Sequence, residues 1–253
     1  MRRRESAICL RSGDYSETSQ IVHFLTRGDG KVKLLAKGAK RAKSNTGGPI
    51  DLLAEGELVY IPAAREGLGT VVEFCETVPH AVLRRDAARL NAALYMVELT
   101  SAVLAEGDPH VEVFDLLHSA LVRLGRKGSQ AGAVLAYFQW RVLRLVGLLG
   151  ELKACVACGR DVSGRAGRKD LHFSSLQGGL LCGACEAAAA GAAAEKYRLD
   201  GATLAGLAAL AAAETGVRVN LPAKQATAVN RLLAYHATQQ LGKTLKMARH
   251  AIG

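Results

Sequence analysis

The stretch SQIVHFLTRGDGKVKLLAKGAKRAK, residues 19–43, is the strongest indication of the fold of the first part of this chain. Two runs rich in β-branched and aromatic residues, 19–26 and 31–37, flank the turn RGDG, which is typical of a β-hairpin. Basic and apolar residues alternate in the second run. Because successive side chains of a strand point to opposite faces, we predict that the lysines of this run point outward and that Val32 and Leu34 point inward.

Three more strand-like runs occupy the rest of the first 80 residues, at 5–11, 56–62 and 70–78. A longer connection, 38–55, follows the third run of the chain. Five short antiparallel strands with one long connection fit a Greek-key barrel of the oligonucleotide-binding (OB) type. An SH3-like barrel is the alternative. We therefore expect residues 1–80 to form an OB-fold nucleic-acid-binding domain.

Positive charge is concentrated on the predicted hairpin and the loop that follows it. The whole chain has a formal net charge of +10, which favours an acidic partner, with nucleic acid as the first candidate and a membrane surface as the second. Residues 27–43 contain seven Lys and Arg residues and a single acidic residue, Asp29. A solvated charged face is the alternative interpretation. The predicted DNA-binding residues are Arg27, Lys31, Lys33, Lys37, Lys40, Arg41 and Lys43.

Aromatic residues are scarce in the first domain, and alternation places Phe24 and Phe74 in its core. A platform on which bases stack is therefore not evident. Binding should be mainly electrostatic and indifferent to base sequence, which leaves the bases free to pair. Such a surface is compatible with strand annealing.

Apolar residues recur at helical spacing after Pro79. This pattern predicts three amphipathic helices, followed after the cysteine-containing segment by an alanine-rich helix or linker and two more helices. We expect the helices to form one body, 81–154 and 186–253, with a module at 155–185 inserted between its two parts. The predicted fold class is α+β multidomain. The five helical stretches are 84–107, 111–125, 132–150, 200–214 and 222–242, and the alanine-rich tract is 186–196.

Two Cys-x-x-Cys pairs lie in the central module, and 23 residues separate the inner cysteines. Four thiolates suffice to close a tetrahedral site, and the pattern is typical of a zinc ribbon. Between the pairs, 171–173 and 180–182 predict two short strands. We expect one structural zinc ion, with His172 not needed as a ligand; a pair of redox or buried cysteines is the alternative. The predicted ligands are Cys155, Cys158, Cys182 and Cys185.

The remaining cysteines, Cys9 and Cys75, lie in apolar strand-like runs, and we expect both to be buried free thiols in a reducing cytosol. The chain shows no export signal and no apolar stretch of the roughly 18 residues that a membrane span needs. A cytoplasmic location follows.

Signals of catalysis are weak. No motif joins Glu17 to a His or to a second carboxylate, and LGKT at 241–244 has Ala237 where a phosphate-binding loop needs its first glycine. The seven His residues show no paired metal spacing. We predict that the protein is not an enzyme.

The string DYSETSQIVHFLTRGDGKVKLLAKGAKRAKSNTGG, residues 14–48, resembles the N-terminal signature of the bacterial recombination mediator RecO family. The family's Y-S-E-x-S turn, L-x-T strand, G-K/R-V hairpin and basic loop occur here in the same order. The GGLLC sequence and the closing LGKTLKMAR segment extend the likeness to the end of the chain. The matching positions are Tyr15, Ser16, Glu17, Ser19, Leu25, Thr26, Gly30, Lys31, Val32, Ala36, Lys37, Gly38, Lys40 and Arg41.

This resemblance implies an OB barrel that binds single- and double-stranded DNA and anneals complementary strands. It also implies partnership with RecR, contact with the acidic C-terminal tail of the single-stranded-DNA-binding protein and, through these, loading of RecA. A nucleoid-associated location in the cytoplasm follows from the same likeness. A zinc-stabilised adaptor that docks acidic peptide tails is the alternative function.

Overall fold

The computed structural model describes residues 1–64, 67–150, 152–162, 171–188, 196–213 and 220–252. The chain forms two compact units, Met1–Lys127 and Gly128–Gly253. Within the described residues, no helix has the length and apolar composition needed to span a membrane.

The first unit is built on five strands that close into a barrel in the order β1-β2-β3-β5-β4. Pairing is antiparallel except between β3 and β5, where a short parallel contact closes the barrel. The predicted OB-type barrel is thus confirmed. The strands are β1 (Arg3–Asp14), β2 (Gln20–Thr26), β3 (Gly30–Ala36), β4 (Glu55–Ile61) and β5 (Gly69–Val78).

The barrel interior is filled by the inward-facing side chains of these strands. Phe24 and Phe74 meet there with ring centroids 5.2 Å apart, as the alternation of their strands predicts. Cys9 is buried in the same cluster. Cys75 is exposed on β5, which corrects the expectation that both thiols are buried. It faces outward because its neighbour Phe74 takes the inward position.

Two helices of the first unit follow the barrel: α1 (Ala87–Val103) and α2 (Val111–Gly125), after a short 3-10 helix at Ala81–Arg85. The turn of the β2–β3 hairpin packs closely on the segment between them. Gly30 has φ +71°, and a Cβ at this position would lie 2.2 Å from the carbonyl oxygen of Asp108. Only glycine combines this left-handed backbone with so close an approach.

A buried carboxylate, Glu55 at the start of β4, joins the barrel to α2. One of its oxygens lies 2.9 Å from Nε2 of buried His80, and the other is bonded to Nδ1 of His118 on α2. A buried charge is tolerated when such partners satisfy it. The contact helps to explain why α2 belongs to the same compact unit as the barrel.

The observed units divide the chain differently from the predicted domains. The predicted domain boundary lies after residue 80, with all the helices in one body. In the structure, α1 and α2 lie in the compact unit that contains the barrel, and that unit extends to Lys127. Polar contacts join these helices to the barrel: Asp115 and His118 of α2, and carbonyl groups at the end of α1, bond to side chains of the hairpin and of β4.

The second unit combines three long helices with the cysteine-containing module. The helix α6 packs against both α3 and α5. Buried Asn230 of α6 accepts a hydrogen bond from Gln139 of α3 at 2.8 Å and donates to the carbonyl oxygen of Gly132 at 2.9 Å. The helices are α3 (Ala131–Leu145), α4 (Gly183–Ala188), α5 (Gly201–Ala212), α6 (Ala223–Leu241) and α7 (Ala248–Ala251).

A three-stranded sheet in the order β7-β6-β8 forms part of this module. The first two strands, β6 (His172–Ser174) and β7 (Gly179–Leu181), match the predicted hairpin within one residue. The third, β8 (Lys196–Arg198), was not predicted because three residues carry too little periodicity. The alanine-rich tract supplies part of α4 and the first residue of β8, while residues 189–195 lie outside the described part of the chain.

We predict that Glu55→Ala lowers the free energy of unfolding by about 3 kcal/mol or more, because it leaves buried His80 without its partner. Glu57→Ala is the matched control on the same strand, since Glu57 is 58% exposed and pairs with exposed Arg4. It should cost less than about 1 kcal/mol. Urea unfolding followed by circular dichroism measures both values, and equal losses would contradict the role assigned to Glu55.

Candidate nucleic-acid interface and metal centre

The outer face of β1, β2 and β3 carries a row of basic side chains. Arg11 pairs with His23 across β1 and β2, and His23 pairs with Lys33 across β2 and β3. All three lie on the face opposite the core, because Val22, Phe24 and Leu34 point inward. Neighbouring strands are about 4.8 Å apart, so the row spans about 10 Å across the sheet. We call these three residues the basic row.

A second row beside it is uncharged. Gly13 pairs with Ile21, and Ile21 pairs with Leu35, so these residues lie next to the basic row on the same face. Tyr15, in the turn after β1, is 61% exposed. The face therefore presents basic side chains beside partly buried apolar ones, and the exposed ring of Tyr15 lies in the turn after β1.

The position of His23 between two cations affects its proton affinity. Partial burial lowers the pKa of the His23 imidazole, and the charges of Lys33 and Arg11 lower it further, while Glu106 acts in the opposite direction. An anion placed over the row would reverse the effect of the cations and favour the charged imidazole.

The loop after β3 extends the positive surface. Lys37, Arg41 and Lys43 are exposed, whereas Ala39 is buried and anchors the loop. Lys40 is held by an ion pair with Asp14 at 2.5 Å, and its backbone amide donates to the carbonyl oxygen of Thr18 at 3.1 Å. The three exposed cations, named the loop cations below, are thus displayed by a loop with a defined conformation.

Two of the predicted DNA-binding residues, Arg27 and Lys31, contact helices of the same unit. Arg27 forms a bidentate ion pair with Asp115 of α2 at 2.9 and 3.0 Å. The ammonium group of Lys31 donates to the carbonyl oxygens of Ser101 and Leu104, both at 2.8 Å, at the end of α1. A cation is favourable there because helix C-terminal carbonyls lack intrahelical donors.

The structure thus separates the seven predicted cations into groups. Lys33 lies in the basic row, three others are loop cations, Lys40 is paired across the loop, and Arg27 and Lys31 hold helices. Arg11 and His23 were missed by sequence reasoning. The pairing register of β1 with β2, including a bulge between Cys9 and Arg11, decides their place, and no local pattern reveals it.

The four cysteines of the central module come together as predicted. Their sulfur atoms all lie within 4.8 Å of one another, and Sγ of Cys158 is 3.9 Å from Sγ of Cys182. In a tetrahedral site with metal–sulfur bonds of about 2.3 Å, the sulfurs are about 3.8 Å apart. The geometry of the donor set therefore fits a metal ion. His172 is not part of the cluster.

Backbone amides favour the thiolate form of Cys155 and Cys182 by lowering the pKa of each thiol. Burial raises the pKa of the Cys155 thiol, but hydrogen bonds from the amides of Cys182, Ala157 and Cys158 outweigh it and lower the pKa to about 6. Hydrogen bonds with the thiols of Cys158 and Cys182 raise the pKa of Cys185 to about 12. The four thiols resist joint deprotonation because neighbouring thiolates repel one another. A bound cation would offset this repulsion.

The strand β7 brings the two cysteine pairs together. The amide of Val156 donates to the carbonyl oxygen of Leu180 at 2.8 Å, which joins the first pair to β7. The second pair begins at Cys182, directly after β7, and continues into α4. The two pairs therefore meet because one short strand contacts the first and leads into the second.

Comparison with known proteins agrees with this architecture. A family model described as recombination protein O N terminal matches residues 1–78, and one described as recombination protein O C terminal matches residues 84–249. The chain belongs to the RecO family. The resemblance seen in residues 14–48 is thereby confirmed. The two RecO matches divide the chain between residues 78 and 84, directly after the barrel strands.

Individual RecO proteins are similar over most of the chain. The DNA repair protein RecO of Rhodopirellula baltica is 35% identical over 71% of this chain and 65% of its own length. The DNA repair protein RecO of an Anaeromyxobacter species is 33% identical over 73% of this chain and 71% of its own length. The DNA repair protein RecO of Moorella thermoacetica is 33% identical over 70% of this chain and 64% of its own length. The matched segments thus span less than two thirds of the Rhodopirellula and Moorella proteins.

We predict that Cys155→Ala abolishes the retention of a tightly bound metal ion, because three thiolates cannot close the tetrahedral site. Cys75→Ala is the matched control, since Cys75 is a free cysteine outside the cluster. Elemental analysis after gel filtration should find about one metal ion per chain in the control. Equal metal content in the two variants would show that the cluster is not the binding site.

Proposed function

We propose that this chain is a non-enzymatic DNA-binding mediator of recombinational repair. The observation that carries the proposal is the basic row on the outer face of β1, β2 and β3, continued by the loop cations. OB folds bind oligonucleotides on the face of strands 2 and 3. The loop cations extend this face because their loop directly follows β3. Membership of the RecO family, whose relatives carry the name DNA repair protein, supports the same assignment.

The character of the surface favours contact with phosphates over contact with bases. Cations in a row and on a loop neutralise a backbone without reading its sequence. Tyr15 is exposed, but Phe24, Tyr60 and Phe74 are buried, so stacking of several bases on this face has little support. We infer that single- and double-stranded DNA both bind, and that bases left free on the surface can anneal with a complementary strand.

The proposed partners follow from membership of the family. We propose that the chain works with RecR, contacts the acidic tail of the single-stranded-DNA-binding protein, and by these contacts helps to load RecA on DNA. An acidic tail is a chemically suitable ligand for a chain with a net charge of +10. A cytoplasmic, nucleoid-associated location belongs to the same proposal.

For the metal centre we propose a single structural zinc ion. Four cysteine ligands in tetrahedral geometry are typical of structural zinc sites, and a closed set of four leaves no position for a substrate. The module has only short strands and one short helix around the cluster, so metal binding would supply much of its folding free energy, about 10 kcal/mol in isolated fingers. No catalytic role is proposed for these cysteines.

Reversal of the loop cations should weaken DNA binding. We predict that Lys37→Glu, Arg41→Glu and Lys43→Glu together reduce affinity for single-stranded DNA at least about 100-fold at 0.1 M salt, because about three phosphate contacts are lost. The slope of log K against log salt should become less steep by about 2. Fluorescence anisotropy with a labelled oligonucleotide measures both quantities.

The matched control is the triple variant Arg2→Glu, Arg126→Glu and Lys127→Glu, which changes the net charge equally at exposed positions outside the basic row and the loop after β3. It should lose much less affinity, since distant charges are screened within about 10 Å at 0.1 M salt. Similar losses in the two variants would mean that net charge, and not this loop, determines binding.

Binding should also depend on pH through His23. Its pKa is lowered in the free protein, and a bound phosphate favours the charged form, so affinity should rise as pH falls from 8 to 6. A rise of one unit in the pKa on binding corresponds to about a tenfold gain in affinity. His23→Gln should remove this part of the dependence, whereas the control His110→Gln should keep it. An unchanged profile in His23→Gln would exclude His23 from the interface.

A further inference from the structure

The second compact unit carries most of the excess positive charge of the chain. Residues 1–127 contain 18 Lys and Arg against 16 Asp and Glu, whereas residues 128–253 contain 15 against 7. The last acidic residue is Glu214, so the final 39 residues contain no Asp or Glu. The first unit therefore accounts for little of the net charge of +10. The positive charge of the second unit suggests an acidic ligand of its own.

Part of this charge is arranged along one side of α6. Lys224, Arg231 and Tyr235 are separated by 7 and 4 positions, which places them within about 40° of one another around the helix. The opposite side of α6 is buried and includes Val229, Leu233 and fully buried His236. Lys224 and Arg231 are exposed, and Tyr235 is partly exposed.

An aromatic pair lies at one end of this line. The rings of Tyr235 on α6 and Tyr197 on β8 have centroids 5.5 Å apart and planes inclined at 45°. Both side chains are partly exposed, and exposed Arg231 lies one helical turn before Tyr235 on α6. Partly exposed aromatic rings near cations suit single-stranded nucleic acid, because the cations can contact phosphates and the rings can stack with bases.

The chain beyond α6 continues the positive surface. Gly242, with φ +64°, ends the helix in the left-handed conformation, and buried Leu245 anchors the following segment. Lys243, Lys246 and Arg249 are exposed around this anchor. Within the described part of the chain, no ion pair with a carboxylate is formed by Lys243 or Arg249.

We propose that these residues form a second DNA-binding surface, distinct in sequence and structure from the barrel face and able to hold a single strand. We call it the α6 surface, made of Lys224, Arg231, Tyr235, Lys243, Lys246 and Arg249. The inference rests on the proposed function because that proposal supplies the ligand, DNA. It does not require the barrel face to be a binding site. Two surfaces on one chain let it hold two strands at once, as annealing requires.

The distribution of charge favours a polyanion with planar bases over an acidic peptide. Lys224 and Tyr235 are about 16 Å apart along the helix axis at 1.5 Å per residue, and the remaining cations lie beyond the helix end. Charge spread over such a length suits a regularly charged backbone, and the tyrosine pair suits bases. Lys224 also faces Asp200, so the C-terminal cations are the better positions for a test.

The test counts binding sites on the full-length, metal-loaded protein. An oligothymidine of about 10 nucleotides matches the size of a single site. Stoichiometric titration by fluorescence anisotropy, at low salt and with the chain concentration well above the dissociation constant, gives the number of oligonucleotides per chain. The wild-type chain should bind two, and the triple variant Lys243→Glu, Lys246→Glu and Arg249→Glu should bind one.

Parallel variants separate this proposal from the barrel proposal. Reversal of the loop cations should also leave one site, and the two triple variants combined should leave none. The control Arg2→Glu, Arg126→Glu and Lys127→Glu should keep both sites, and circular dichroism verifies the fold of each variant. If the C-terminal triple variant keeps the wild-type number of sites, the α6 surface is refuted. If only the loop variant keeps that number, the barrel proposal fails and the α6 surface stands.

Discussion

Neighbouring residues of a β-strand point to opposite faces of a sheet, and this constraint on the β2–β3 hairpin governs the first unit. Burial of Phe24 and Leu34 in the barrel leaves His23 and Lys33 no position except the outer face. A slip of one residue would exchange the two sets and place charge in the core. The apolar core therefore determines where the cations lie, and the proposed DNA-binding face follows from it.

Positive charge serves two purposes in this unit. Arg27 and Lys31 hold α2 and the end of α1 against the hairpin, and the loop cations stay exposed. A count of cations along 27–43 does not distinguish these roles, since each residue carries the same charge. What differs is the partner: a carboxylate or helix carbonyl within hydrogen-bond distance makes a cation structural. The exposed members keep their charge available for phosphate.

The metal centre depends on a different constraint. Four sulfurs within 4.8 Å of one another must be held by very short elements, β7 and α4 among them. Such elements bury too little apolar surface to be stable alone, so a bound cation is the natural source of local stability. The centre shapes the module next to α6, while the surfaces proposed for DNA lie on the barrel and on α6 and the segment after it. The cysteines are thus proposed to stabilise the module, and other residues are proposed to bind DNA.

Much of this architecture is predictable from local patterns. Alternation along five runs predicts the barrel strands, the 3.6-residue period predicts five long helices, and the cysteine spacing predicts the ligand set, because each signal lies within one element or one motif. The seven cations of the hairpin and loop were also identified in this way. Their separate roles were not, and neither were Arg11 and His23.

Contacts between residues of different elements depend on how those elements pack. The bulge in β1 brings Arg11 opposite His23, Asp115 of α2 takes Arg27 as its partner, and Tyr235 of α6 meets Tyr197 of β8. The placement of α1 and α2 with the barrel depends on the same kind of contact. Such pairings join residues far apart in the chain, and their energies come from geometry that no local sequence pattern contains. Local patterns thus specify the elements and the four candidate metal ligands, whereas packing specifies which charged groups become structural contacts.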